Sequence, residues 1–133
     1  MENQKISKKT YQQISQLSHS IEYVNSLGYN FLMTSCLKQD FSMVKYALEL
    51  KFDPNTFDYY NVMTPLLLVV NKLSWKSVLI ANILVKAGAD PYKHNSVDTS
   101  AISVLSRLNI TDPKKIEYRK AMMKIFGQRL ELV

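Results

Sequence analysis

Asp53-Pro54 recurs as Asp90-Pro91, 37 residues on, and the turn position Asn25 recurs as Asp58 after 33 residues and as Asn95 after a further 37. A chain that repeats its turn chemistry at such an interval is a row of small units. Each unit is too small to bury its apolar face alone, so neighbours must stack to make one continuous core. The stretch between two of these turns shows what a unit contains. Thr64 is a good N-cap, Pro65 suits the first helical position because its missing N–H would be orphaned there anyway, and the apolar run Leu66–Val70 follows. A polar turn with Asn71, Lys72 and Ser74 leads to a second apolar run, Val78–Val85. Gly88 can take the left-handed conformation that closes a helix, and Pro91 prevents the helix from resuming. The unit is therefore a helix, a turn and a second helix.

The same frame extends to both sides. Before it, a helix begins near Phe31 and carries Leu32, Ser35 and Cys36; Lys38-Gln39-Asp40 breaks it. A second helix then presents Phe41, Val44 and Leu48 on one face, and Phe52-Asp53-Pro54-Asn55 ends that helix. After it, Asn95 leads to Ser100-Ala101-Ile102, and a last helix is expected from Pro113 to about Gly127, entered through Thr111-Asp112. Ile14, Leu17 and Ile21 form a single apolar stripe on an otherwise polar N-terminal helix, as the terminal cap of a stack requires. Three glycines and four prolines in 133 residues argue against a turn-rich β-fold, and 47% hydrophobic content suffices for a core.

These residues resemble the ankyrin-repeat family, whose units run D-x-x-G-x-T-P-L-H-x-A-A, a turn, an outer helix with I-V-x-x-L-L, and G-A-D-P-N. Residues 30–55 follow that frame without a gap through Leu32, Ser35-Cys36, Met43-Val44, Ala47-Leu48 and Asp53-Pro54-Asn55. The second unit has the clearest motifs, Thr64-Pro65-Leu66 and Gly88-Ala89-Asp90-Pro91. It has one extra residue near Val62-Met63 and about three more around Leu73–Ser77, which would lengthen the turn holding Trp75. No unit keeps the motif histidine; Met33, Leu67 and Ser103 stand in its place, and Val69-Val70 replace the small alanine pair. The resemblance spans residues 22–127. It implies an all-α, ankyrin-like helical-repeat solenoid with an N-terminal cap over residues 1–21. Repeats follow over 22–54 and 55–91, and a third repeat with its C-terminal cap over 92–133.

Chemistry at a catalytic or metal centre has little to stand on. His19 and His94 lie in different units, no Cys/His cluster has ligand spacing, and the three glycines are isolated rather than forming a phosphate loop. Cys36 occupies a position that is small and buried in the family, which makes it a core thiol. Asp53 and Asp90 precede prolines after helix ends, where they shape turns. The chain reads as a non-enzyme that needs no cofactor, metal or small-molecule substrate. No apolar run is long enough to cross a bilayer, the polar Met1–Lys5 start leads into no signal-peptide core, and one cysteine suits a reducing compartment. A cytoplasmic protein, or one delivered into a host cytosol, is expected.

Binding has more support. In the family the turns between units project as fingers, the inner helices line a concave face, and variable positions there determine the partner. Mapped here, they fall at Tyr29, at Phe57, Tyr59, Tyr60, Val62 and Met63, and at His94, Ser96, Val97 and Thr99. The inner-helix positions are Leu37, Asn71 and Arg107, and Trp75 adds an outlying contact. Aromatic residues and Arg dominate interface energetics. A bland alternative has Phe57 folded back over the core and the tyrosines lying flat on their neighbours. The net charge of +6 sits at the ends, in Lys5, Lys8 and Lys9, and in Lys114, Lys115, Arg119, Lys120, Lys124 and Arg129. The aromatics are near the middle, and this separation counts against nucleic acid. Ile116, Met123 and Phe126 of the last helix are needed to cover the stack rather than a membrane. The expected role is a protein-binding module gripping a partner with an acidic surface, as an inhibitor or antagonist of the immunity or host-factor-binding kind. The alternatives are an adaptor with a second surface at Trp75, or a basic protein associated with membrane or nucleic acid.

Overall fold

The computed structural model describes residues 24–131, with side chains to residue 127. The stripe of Ile14, Leu17 and Ile21, the N-terminal cap and His19 therefore lie outside the described residues. All regular structure within them is helical: α1 (Phe31–Leu37), α2 (Phe41–Glu49), α3 (Pro65–Val70), α4 (Trp75–Lys86), α5 (Ala101–Arg107) and α6 (Pro113–Glu131). Packing arranges these in two layers. In one, α1 packs on α3 and α3 on α5; in the other, α2 packs on α4 and α4 on α6; α1–α2, α3–α4 and α5–α6 are the pairs that join them.

Each helix start has a side chain placed to satisfy the N–H groups that a helix leaves without partners. Asn30, Asp40, Thr64, Ser74 and Ser100 accept from the backbone N–H of Met33, Met43, Leu67, Ser77 and Ser103. In α4 and α5 the third residue is serine, and its hydroxyl accepts from the cap's own N–H, closing a reciprocal box. Asp112 precedes Pro113 and accepts from Lys114 N at 3.1 Å, so the cap expected there is present.

The helix ends repeat too. Gly88 follows α4 at φ +109°, as its sequence position suggested, with Gly88 N donating to Val85 O and Ala89 N to Leu84 O. Gln39 after α1 (φ +54°) and Lys51 after α2 (φ +72°) close their helices with the same pair of bonds: Gln39 N to Cys36 O and Asp40 N to Ser35 O, Lys51 N to Leu48 O and Phe52 N to Ala47 O. Neither Gln39 nor Lys51 is a residue from which this conformation is foreseen.

All six residues of α3 are buried, which explains why Leu66–Val70 has no polar face: the helix sits between α1 and α5 and against α4. Val69 and Val70, which replace the small pair of the repeat motif, are fully enclosed. The core continues through Leu32, Val44, Ile80, Leu84 and Leu105 to Met122 and Phe126 of α6. Two expectations need correction. The spacing from Phe31 to Phe41 equals that from Pro65 to Trp75, so the inter-helix turn of the second unit is not extended. The excess is in the helix itself, since α4 has 12 residues where α2 has 9. Trp75 is consequently the first residue of α4 rather than a turn residue. The last helix also continues past Gly127, to Glu131.

Candidate partner-binding surface

Three turns precede the caps of α1, α3 and α5, and they share one local structure. Asn25 Oδ1 accepts from Leu27 N and Tyr29 N, Asp58 Oδ1 from Val62 N and Met63 N, and Asn95 Oδ1 from Val97 N and Thr99 N. Three residues after each anchor the backbone turns left-handed, at Gly28 (φ +82°), Asn61 (φ +59°) and Asp98 (φ +60°), and donates back to the anchor's own carbonyl. Asn and Asp tolerate this conformation better than other side chains, so the missing glycines do not abolish the turn. The middle turn bonds one residue further along, to Met63, which locates the extra residue where the sequence placed it.

The turns are also linked to one another. Tyr59 N donates to Gly28 O and Ser96 N to Asn61 O, both at 3.0 Å, while Asn95 Nδ2 donates to Val62 O at 2.7 Å. Deeper in the molecule Asn55 performs a related task, donating to Gly88 O and accepting from Asp90 N. Gly28 is required by more than its φ: a Cβ there would lie 2.8 Å from Tyr59 Cβ and 3.2 Å from Tyr59 N. The tips are thus held in register by two backbone bonds and the Asn95 side chain, without using the large side chains of the middle turn.

That arrangement leaves the large side chains of the middle turn in solvent. Tyr59 is 74% exposed and Tyr60 65%, their rings edge-to-face at 5.2 Å; Val97 is 66% exposed on the next turn. Val62 is exposed beside them, as is Leu27 of the first turn, which sequence reasoning passed over. Phe57 behaves differently. It is half-buried and has the Lys93 ammonium 4.9 Å from its ring centroid, a cation–π contact that no spacing in the sequence announces. Met63 and Tyr29 are also half-buried and pack on the core, so they support the surface more than they present it. Burial first, and then the Asp58 carboxylate, push the Tyr29 hydroxyl pKa above the ordinary tyrosine value.

The remaining predicted positions are scattered along the layer. Thr99 is half-buried; His94 and Ser96 are exposed in the third turn, where His94 Nε2 lies 3.8 Å from Asp98 Oδ1 with both side chains open to water. Leu37, Asn71 and Arg107 fall together at the C-terminal ends of α1, α3 and α5, all exposed, and Arg107 Nε donates to Ser103 O. Trp75 opens α4 shortly after Asn71, so it lies at that end of the helix pair and not with the turn tips. Among the basic residues of α6, Arg119 is committed to the fold through Nη1 donating to Leu108 O at 2.7 Å, while Lys114, Lys115, Lys120 and Lys124 point to solvent.

Cys36 is fully enclosed in α1, and burial raises its pKa far above that of a free thiol, so it is held as an unreactive thiol. Among the described residues no group of His, Cys, Asp and Glu is arranged as a metal-ligand set, and no helix is long and apolar enough to cross a membrane. Comparison with models of known protein families gives no match for the chain, and comparison with curated proteins gives none.

Proposed function

We propose that this chain is a protein-binding module of the ankyrin-repeat type, acting without catalysis by gripping a protein partner with the tips of its turns. The observation that carries this reading is the set of exposed side chains at Tyr59, Tyr60, Val62 and Val97, held on turns that are bonded to one another. Surface aromatics are costly to leave in water, and tyrosine contributes much contact area with little rotamer freedom to lose. A row of turns fixed in advance avoids the ordering cost that weakens flexible-loop binders. The repeat-family reading is supported by the three equivalent turns, the three equivalent helix ends and the two-layer packing. Phe57, backed by Lys93, forms a cationic edge to the aromatic tip, and this suits a partner with acidic groups around an apolar centre. Covering such a partner's surface excludes competitors, so inhibition by occupancy is the expected outcome.

The test is an affinity capture from the source lysate at moderate salt with wild type and a Tyr59→Ala/Tyr60→Ala variant. Both side chains are in solvent, so circular dichroism and melting temperature should remain near wild type. A partner retained by wild type and lost by the folded variant supports the proposal. Equal retention by both proteins refutes the turn surface as the contact. Recovery of only nucleic acid or lipid, released by salt, favours the exposed lysines of α6 instead.

A further inference from the structure

The other end of the helix pairs has a second, chemically distinct surface. The turn from α1 into α2 and the first turns of α2 and α4 enclose an open groove of about 310 Å³. Its apolar part is Phe41, Trp75 and Leu79, exposed by 37%, 57% and 45% respectively. The groove is rigidly framed: Gln39 donates to Lys72 O and accepts from the Ser74 hydroxyl, which ties the two inter-helix turns together.

The groove has a net positive lining, two lysines, Lys38 and Lys76, against one carboxylate, Asp40. Neither lysine forms an ion pair with a described residue. The N-termini of α2 and α4 open onto it side by side, and neither helix has an acidic residue in its first turn. Asp40 already sets a carboxylate against the positive end of the α2 dipole, whereas α4 is capped by the neutral Ser74 and keeps its positive end uncompensated. The single carboxylate in the lining, Asp40, is occupied in capping α2 through Met43 N. Lys76 Nζ stands 5.9 Å from the Trp75 ring centroid, so the cation and the apolar floor are adjacent.

We infer that this groove docks an acidic peptide segment that inserts a large apolar side chain against Trp75 and Leu79 while its carboxylates meet Lys38, Lys76 and the N-terminus of α4. Its volume suits one or two side chains, and its positive rim selects acidic flanks. With the aromatic turn tips at the opposite end of the helices, the module has two separate docking surfaces and can hold two partners at once.

Trp75 is the sole tryptophan in the chain and therefore reports directly on this site. A library of short random peptides is selected on the full chain alone, and a Lys38→Glu/Lys76→Glu variant is kept out of the selection for the later comparison. The selected peptides are then titrated while Trp75 emission is followed. The expected result is peptides rich in Asp and Glu around a Leu, Phe or Trp. They should shift Trp75 emission to the blue, and their affinity should fall on the order of tenfold or more for the charge-reversed variant. Tyr59→Ala/Tyr60→Ala must leave that affinity unchanged, so failure here is distinguishable from failure of the turn surface. Selected peptides without acidic excess, or binding indifferent to the charge reversal, overturn the inference. A free chain whose Trp75 emission is already that of a shielded indole does so too, because the groove is then covered by the chain itself or by a second copy. A Trp75 shift with phosphatidylserine vesicles but not with acidic peptides overturns it in favour of a lipid surface.

Discussion

Asp58→Ala tests the account of the turns most directly. Asp58 is 6% exposed, and one of its carboxylate oxygens accepts from Val62 N at 2.7 Å and from Met63 N at 2.8 Å. A hydrogen bond to a charged group contributes about 1.5–3 kcal/mol net, and a buried N–H left without a partner costs a further fraction of that. The two bonds share one oxygen, and Val62 is at the surface, where water can replace one of them. We therefore expect a loss of about 2–3 kcal/mol, which for a chain of this size lowers the melting temperature on the order of 10 °C. Asn95→Ala is the internal comparison. It removes neutral acceptor bonds at 3.0 and 2.9 Å from a half-buried site and one donor bond to Val62 O. Neutral bonds that water can replace are weaker, so about 1 kcal/mol is expected. Asp58→Asn keeps the accepting oxygen, as Asn25 and Asn95 do in the equivalent turns, and should cost less than about 1 kcal/mol. Urea unfolding followed by circular dichroism gives all three values on one scale. Two results would refute the reasoning: Asp58→Asn as damaging as Asp58→Ala, or Asp58→Ala no worse than Asn95→Ala. The first would mean that the charge, and not merely an accepting oxygen at this place, holds the middle turn; the second would mean that the carboxylate contributes no more than a neutral acceptor does.

Two further outcomes follow from the backbone and from the core. Gly28→Ala combines a left-handed φ with a Cβ placed 2.8 Å from Tyr59 Cβ, whereas Gly88→Ala meets nothing within 4 Å and has only its φ to contend with. Gly28→Ala should therefore cost about 2–3 kcal/mol and Gly88→Ala about 1 kcal/mol, and equal losses in urea melts would show that the turn-to-turn approach is not tight. Cys36 is buried with its pKa raised from 9.0, so the thiol ionises in the unfolded chain before it does in the native one. Above about pH 9 the unfolded state has lost the proton that the native state keeps, and stability should fall by up to about 1.4 kcal/mol per pH unit from this group. The slope of stability against pH between pH 9 and 10.5, compared with that of Cys36→Ala, checks this; identical slopes would contradict the burial argument.

Much of the architecture is legible in the chain because it rests on short-range chemistry. Thr64-Pro65, Ser100 and Thr111-Asp112 announce helix starts, Gly88 a helix end, and Asn25, Asp58 and Asn95 the turns, since each side chain bonds to backbone within a few residues of itself. The helix ends near Gln39 and Lys51 are legible as breaks, but their left-handed conformation is not, because no intrinsic preference places those residues at positive φ. The surrounding packing imposes it. Trp75 was misplaced for a similar reason: an excess of three residues can lengthen a turn or a helix equally well, and only contact of α4 with α2 and α6 decides for the helix.

The candidate surfaces divide along the same line. From the sequence came the aromatic cluster at Phe57, Tyr59 and Tyr60, because composition and turn position are local properties. Which of these rings faces water was decided by the tertiary structure, through the bond from Tyr59 N to Gly28 O and the lysine at position 93 that settles over Phe57. The groove at Phe41, Trp75 and Leu79 likewise exists only once α2 and α4 lie side by side. Residues 34 positions apart in the chain become neighbours there. Periodicity and caps determine that this chain forms paired helices joined by repeating turns; stacking determines which of their side chains are left without a neighbour.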